Sequence, residues 1–395
     1  MKELVINNNN KILLIILDGL GGLPLDGKTE LEKARTPNLD ELTGKSELGL
    51  IIPVDYGITP GSGPGHFALF GYNPLEIEIG RGVLEALGLG LKLDKNTLAI
   101  RGNFATYKDG VIVSRRAGRI STEENKRLCE KLKREIKSIK GCEIEFHSGV
   151  GHRFVILIKG ENLSAEIKET DPQKDGLPPY LPEPILEEGK KTSEILKILL
   201  EKSTEVLKDE KEANYFLLRG YSKVPKIENF SEKYQLKSLA IAAYPMYKGI
   251  ASLIGMDVPK SPVNNWEEEI KELKENYDNY DFFYLHFKEI DIAGEDGDFE
   301  RKVSLIEKFD SLLPEILKLN FSVIAITSDH STPALLKSHS WHPVPFLLYS
   351  SFSRNNEKVK FCEKSCQKGS LGIFKATKVL PLLLAYSLRL KKFGA

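Results

Sequence analysis

A chain of 395 residues with 41% hydrophobic content can bury a sizeable core and is long enough for two domains. Its 56 basic residues balance 56 acidic ones, so no global field draws it to nucleic acid or a membrane surface, and affinity for an acidic ligand has to be local. The four cysteines, at 129, 142, 362 and 366, lack zinc-finger spacing, and Cys362 with Cys366 reads as a pair of reduced loop thiols.

Asn7 to Asn10 reads as a surface turn. Lys11 to Leu17 is a continuous apolar run broken by Asp18-Gly19-Leu20-Gly21-Gly22, the pattern of a strand buried on both faces as it leaves a sheet, with Asp18 at its carboxyl end. The run is too short for a signal peptide, and Val379 to Leu384 is too short to span a bilayer, so a soluble cytoplasmic protein is expected. Thr59 to His66 (TPGSGPGH) is a Gly/Pro turn before a helix. Its small residues leave the Ser62 hydroxyl accessible at a helix N-terminus, where free backbone N–H groups favour an incoming phosphate. No Gly-x-Ser-x-Gly elbow surrounds Ser62, so metal activation fits better than an acyl-transfer triad.

The middle of the chain has its own elements. Ser121 to Lys140 has helical apolar spacing, Glu143 to Phe146 and Arg153 to Ile158 read as strands, Lys168 to Pro184 is a proline-rich loop, and Glu187 to Lys211 is a charged amphipathic helix. Hinges are expected near 72–80 and 237–244. Beyond them, Tyr280 to His286 leads to Asp291, and Phe321 to Thr327 leads to Asp329-His330, with His339 and His342 in the same DHSTPALLKSHSWHP segment. A single aspartate after a strand is usually a turn or cap residue. Three strand ends carrying carboxylate and imidazole point instead to a metal centre where parallel sheets place their sites.

Leu17-Asp18-Gly19, Arg35-Thr-Pro-Asn-Leu39, Gly61-Ser-Gly-Pro-Gly-His66, Asp329-His-Ser-Thr-Pro333 and His339-Ser-Trp-His-Pro-Val-Pro345 together resemble the cofactor-independent phosphoglycerate mutases of the archaeal type, in the alkaline-phosphatase superfamily. Arg101 to Thr106, Arg115 to Arg119 and Gly151 to Phe154 extend the likeness. The resemblance implies an α/β fold: an alkaline-phosphatase-like core with a mostly parallel sheet flanked by helices, formed by 1–75 and 240–395, and a smaller inserted α/β cap at 76–239 that closes over substrate. It implies interconversion of 2- and 3-phosphoglycerate, a step of glycolysis and gluconeogenesis, without bisphosphoglycerate and through a phosphoserine on Ser62.

Two divalent ions are implied as cofactors, usually manganese in this family, with magnesium, cobalt and zinc as alternatives. One ion would take Asp18, Ser62, Asp329 and His330, and the other Asp291, Glu295 and His339. The family pattern Asp-x-x-Gly-His reads Asp291-Ile-Ala-Gly-Glu295 here, so the second site carries a carboxylate where an imidazole is usual, and His342 is a candidate extra ligand. The small phosphorylated acid would be bound by Arg153, Arg219, His152, Arg115, Arg116 and Arg119, with Lys248 and Asp171 as further candidates. The rival readings are another phosphotransferase or phosphomonoesterase on this scaffold, homoserine-kinase-like enzymes included, and a metal-poor binding or regulatory homologue. Whether the chain is a monomer or a homo-oligomer stays open.

Overall fold

The computed structural model describes residues 2–77, 79–355 and 357–394. Along them the strands run β1 (Ile12–Leu17), β2 (Ser46–Ile52), β3 (Thr97–Lys108), β4 (Val111–Ser114), β5 (Ser138–Ile139), β6 (Cys142–Ser148), β7 (Arg153–Lys159), β8 (Tyr215–Lys223), β9 (Ser238–Ala242), β10 (Phe282–Phe287), β11 (Val323–Thr327), β12 (Val344–Ser350) and β13 (Gly372–Lys375). They fall into two compact units, Met1–Ile77 with Ile227–Ala395, and Glu78–Lys226.

In the first unit a seven-stranded sheet has the order β13-β2-β12-β11-β1-β10-β9. β1 pairs in parallel with both β10 and β11, β10 with β9, and β13 with β2; β12 alone runs the other way. All six residues of β1 are buried, as a central parallel strand covered on both faces requires, and a run such as ILLIIL satisfies that where an alternating one would not. Leu13, Ile15 and Leu17 share a core with Leu39 of helix Pro37–Thr43, Ile270 of helix Trp266–Asn276 and Ile306 of helix Phe299–Leu317. Burying each such side chain stabilises the fold by about 1.5–3 kcal/mol. The register aligns Leu17 with Phe287 and Ile16 with Thr327, so β1, β10 and β11 end nearly flush. The loops leaving these three strands therefore emerge together at one edge of the sheet.

The second unit is built on an antiparallel sheet in the order β4-β3-β7-β6-β5, with β8 also paired to β3. Helices Thr122–Glu135 and Lys190–Leu207 contribute Leu128 and Leu196 to a core that also holds Phe104, Phe154 and Phe216. The first helix starts where expected, because the Ser121 side chain accepts the Glu124 N–H as an N-cap, but it stops at Glu135 and Ser138–Ile139 turns into β5.

The second expected hinge differs from what is found. The units divide at 226/227, and Ser238–Ala242 is β9, buried at every position at the edge of the core sheet, so residues 227–239 belong to the first unit rather than to the insert. The first expected hinge, 72–80, includes Glu78, which lies outside the described residues. Cys362 and Cys366 are buried at the N-cap and within helix Glu363–Gln367 rather than in a loop, and all four cysteines are unbridged. Among the described residues no helix is long and apolar enough to cross a membrane.

Candidate active site

Asp18, Asp291, Asp329 and His330 all lie at the carboxyl edge of β1, β10 and β11, and each has no solvent exposure. Ser62 is the first residue of helix Ser62–Leu69, after Gly61 as N-cap, and its Oγ stands 3.3 Å from His330 Nε2. The helix reaches this spot through Gly65, where a Cβ would sit 2.4 Å from the Asp329 carbonyl oxygen. His330 Nε2 is also 3.1 Å from Asp329 Oδ2 and 3.4 Å from Asp18 Oδ1. These two carboxylate oxygens are buried and have no hydrogen-bond partner among the described residues. Buried acceptors left this way are costly unless a cation completes them, so the set suits a bound divalent ion.

A second group joins the first. His339 Nε2 lies 3.7 Å from Asp291 Oδ1 and 3.5 Å from Glu295 Oε1, while His339 Nδ1 donates to the Pro60 carbonyl at 2.9 Å, turning the Nε2 lone pair inward. The two imidazoles stack, with His330 and His339 ring centroids 3.6 Å apart, because the Ser340 N–H donates to the Ser331 carbonyl at 2.9 Å and pinches the segment that carries them. Asp18, Asp329 and His330 converge as one potential ligand set, and Asp291, His330 and His339 as another, each within 4.8 Å. Glu295 stays at the margin, with its side chain 52% exposed. His342 is not in either set; its Nδ1 meets Ser340 Oγ at 3.1 Å and its ring stacks on Trp341.

Several residues of this centre escape sequence reasoning. Lys288 places its ammonium 2.5 Å from Asp291 Oδ2 and 3.3 Å from Asp18 Oδ2. His286 Nε2 donates to Asp18 Oδ2 at 3.0 Å, and the Tyr247 ring stacks on His286 at 3.8 Å, facing Asp18 and Ser62. His66 Nδ1 donates to the Ser62 carbonyl at 2.7 Å. The spacing of four between Ser62 and His66 on a helix was the available signal for that contact.

The electrostatics follow from three buried carboxylates in one place. Burial and the Asp329 charge push the Asp18 carboxyl up, but Lys288, the His286 hydrogen bond and His330 outweigh them and hold it below the usual carboxylate value. Burial opposes a charge on His330, yet Asp329, Asp18 and Asp291 raise it to about 9. His66 goes the other way: burial dominates and lowers it to about 4, so its ring is neutral. The centre draws positive charge to the point faced by Ser62.

In the second unit the Arg115 guanidinium grips Asp171 with two hydrogen bonds, 2.6 and 2.9 Å, and Arg219 Nη1 approaches the same carboxylate at 3.3 Å. Asp171 is thus occupied by arginines rather than open to a ligand hydroxyl. Burial first, then Arg153, Arg219 and Arg81, lower the Arg101 guanidinium, and His152 is lowered by burial and by Arg153, Arg116, Arg101 and Arg119. Arg101, Arg153, Arg219, His152 and the exposed Arg116 and Arg119 therefore form one basic group that Arg81 joins. Lys248 belongs to the first unit, half-buried in helix Pro245–Leu253 with its charge acting on Glu269.

A family model described as 2,3-bisphosphoglycerate-independent phosphoglycerate mutase matches residues 44–213. Proteins of Aquifex aeolicus and Thermus thermophilus, each named "Probable 2,3-bisphosphoglycerate-independent phosphoglycerate mutase", are both 51% identical over all of this chain and 99% and 98% of their own lengths. Among solved structures, the cofactor-independent phosphoglycerate mutase of Thermoplasma acidophilum is similar with a TM-score of 0.80 at 31% identity, covering 96% of this chain and all of its own. A Pyrococcus horikoshii protein aligns with a TM-score of 0.79 at 32% identity over 98% of this chain and all of its own.

Proposed function

Because the chain belongs to the 2,3-bisphosphoglycerate-independent phosphoglycerate mutases, we propose that it interconverts 2- and 3-phosphoglycerate through a phosphoserine on Ser62. The observation that carries this reading is the approach of Ser62 Oγ to His330 Nε2 beside the unpartnered oxygens of Asp18 and Asp329. Asp18, Asp329, His330 and Ser62 would hold one divalent ion, and Asp291, His339 and Glu295 the other. Donors of oxygen and imidazole without thiolate suit manganese. When bound, such a pair lowers the pKa of the serine and neutralises charge on the entering and leaving oxygens.

The chain's own groups do the rest. Ser62 opens its helix, so its own N–H and that of Gly63 lie in the first turn, unbonded within the helix and available to an incoming phosphoryl group. The Ser62 Oγ–phosphorus bond forms as the bond to the 3-oxygen of glycerate breaks, and the serine proton ends on that oxygen. The 2-hydroxyl then attacks phosphorus and its proton returns to Ser62, so no phosphate or proton is lost overall. Retaining glycerate demands exclusion of water, and we assign its carboxylate to the basic group around Arg101, Arg153 and Arg219 of the inserted cap, with Asp171 orienting Arg115 and Arg219. The buried unbridged thiols suit a reducing cytoplasm, where we place the reaction.

An enolase-coupled assay of metal-loaded enzyme tests the reading: turnover with manganese is expected, and Ser62→Ala should lower kcat on the order of 10⁴-fold or more. Acid-quenched wild type should carry phosphate on the Ser62 peptide by mass spectrometry. Turnover preserved in Ser62→Ala would exclude the phosphoserine route.

A further inference from the structure

Thr332 is fully buried between the two ligand groups. Its hydroxyl has one proton to give, and its neighbours are Asp291 Oδ1 at 2.5 Å and His330 Nδ1 at 3.0 Å. A carboxylate oxygen accepts and does not donate, so the hydroxyl proton goes to Asp291 and the oxygen accepts from His330 Nδ1–H. With Nδ1 committed, the ligating nitrogen of His330 is Nε2, which faces Asp18, Asp329 and Ser62. Proximity alone would allow His330 to serve Asp291 and His339 instead.

We propose that Thr332 is a positioning residue that fixes the His330 tautomer, commits that imidazole to the ion shared with Ser62, and ties it to Asp291 of the other ion. The inference rests on the metal-dependent reading above. The threonine is itself held: the Lys302 ammonium, without solvent exposure, donates to the Thr332 carbonyl at 2.9 Å and to the Gly21 carbonyl at 3.1 Å. Gly294 packs against the same carbonyl and leaves no room, since a Cβ there would meet the Thr332 carbonyl oxygen at 2.2 Å and Cγ2 at 2.9 Å. A hydroxyl held this firmly can orient an imidazole rather than follow it. It also joins the two groups of candidate ligands, because Asp291 accepts from Thr332 at Oδ1 and from Lys288 at Oδ2.

Thr332→Val removes the hydroxyl and keeps the shape; Thr332→Ser keeps the hydroxyl. Manganese titrated calorimetrically into stripped protein should bind Thr332→Val roughly 10–100-fold more weakly at its tighter site, as loss of such an orienting partner does elsewhere, while Thr332→Ser stays within about threefold of wild type. Nitrogen-15 histidine spectra of the zinc-loaded wild type should show His330 protonated at Nδ1 and metal-bound at Nε2. Zinc on Nδ1 would overturn the proposal without any variant, and so would wild-type affinity in a folded Thr332→Val. Neither measurement needs turnover, so an inactive wild type would sink the mutase reading and leave this one standing.

Discussion

Lys288 puts an ammonium group between two carboxylates that come from different strand ends, one from each ligand group. Burial works against its charge, but Asp18 and Asp291 outweigh burial and hold it above the ordinary lysine range. Removing it leaves three buried carboxylates with less to balance them. Lys288→Met should cost about 3–5 kcal/mol in chelator, the usual scale for breaking a buried pair, with much of that recovered when a divalent ion supplies the missing charge. Urea unfolding with and without manganese measures both halves; a variant as stable as wild type in chelator would contradict the role. The lysine was not legible in the sequence, because a charged residue just past a strand is usually a solvated one. Its position depends on β10 lying beside β1 with Leu17 opposite Phe287, which no local pattern states. His286, opposite Ile16, was hidden for the same reason. Asp18 and Asp329-His330 were legible because each breaks a continuous apolar run.

Helix Ser62–Leu69 shows how an element, and not only a side chain, makes the site. Its N-terminus touches the Asp329 backbone at Gly65, so Gly65→Ala has to push the helix away from the loop bearing Asp329 and His330. Overpacking of this kind costs about 1–3 kcal/mol. Because the displaced residue is three positions from Ser62, turnover should fall by more than the stability loss accounts for, while ellipticity stays unchanged. Thermal melts beside the coupled assay decide this, and full activity at a lowered melting point would mean that the helix tolerates the shift. The Gly-rich stretch was readable as a turn into a helix, but the need for close approach at one glycine was not. β9 illustrates the opposite failure: Ser238-Leu-Ala-Ile-Ala242 is short and partly small-residued, so it looked like a connection, yet it pairs with β10 and is buried at every position. The Arg115–Asp171 grip, between residues 56 positions apart, likewise has no local signature.

Across the whole molecule, buried carboxylates set how stability responds to pH. Burial pushes Asp171 up, but the Arg115 hydrogen bonds and the charges of Arg115 and Arg219 outweigh it, so the folded value lies below the ordinary 3.8. Its contribution is therefore present above the unfolded value and lost as pH falls through the folded one. The stability difference between wild type and Asp171→Asn, from urea unfolding of the full chain, should be level from about pH 5 to 7 and shrink below about pH 4; a difference that persists there would assign the effect to packing. Glu269 and Glu363 run the other way, since burial raises both, and their contribution is full below the unfolded value and lost as pH rises through the folded ones. The broad organisation, a mostly parallel sheet with carboxylates and imidazoles gathered at its carboxyl edge and a separate middle unit, could be read from apolar runs and their endings, whereas the partners of those groups required the assembled sheet. The bridge between Ser331 and Ser340 carries one more consequence. It closes the chain into a small ring, so the entropy of bringing two histidines side by side is settled during folding, and an ion held there as proposed would meet side chains that are already preorganised.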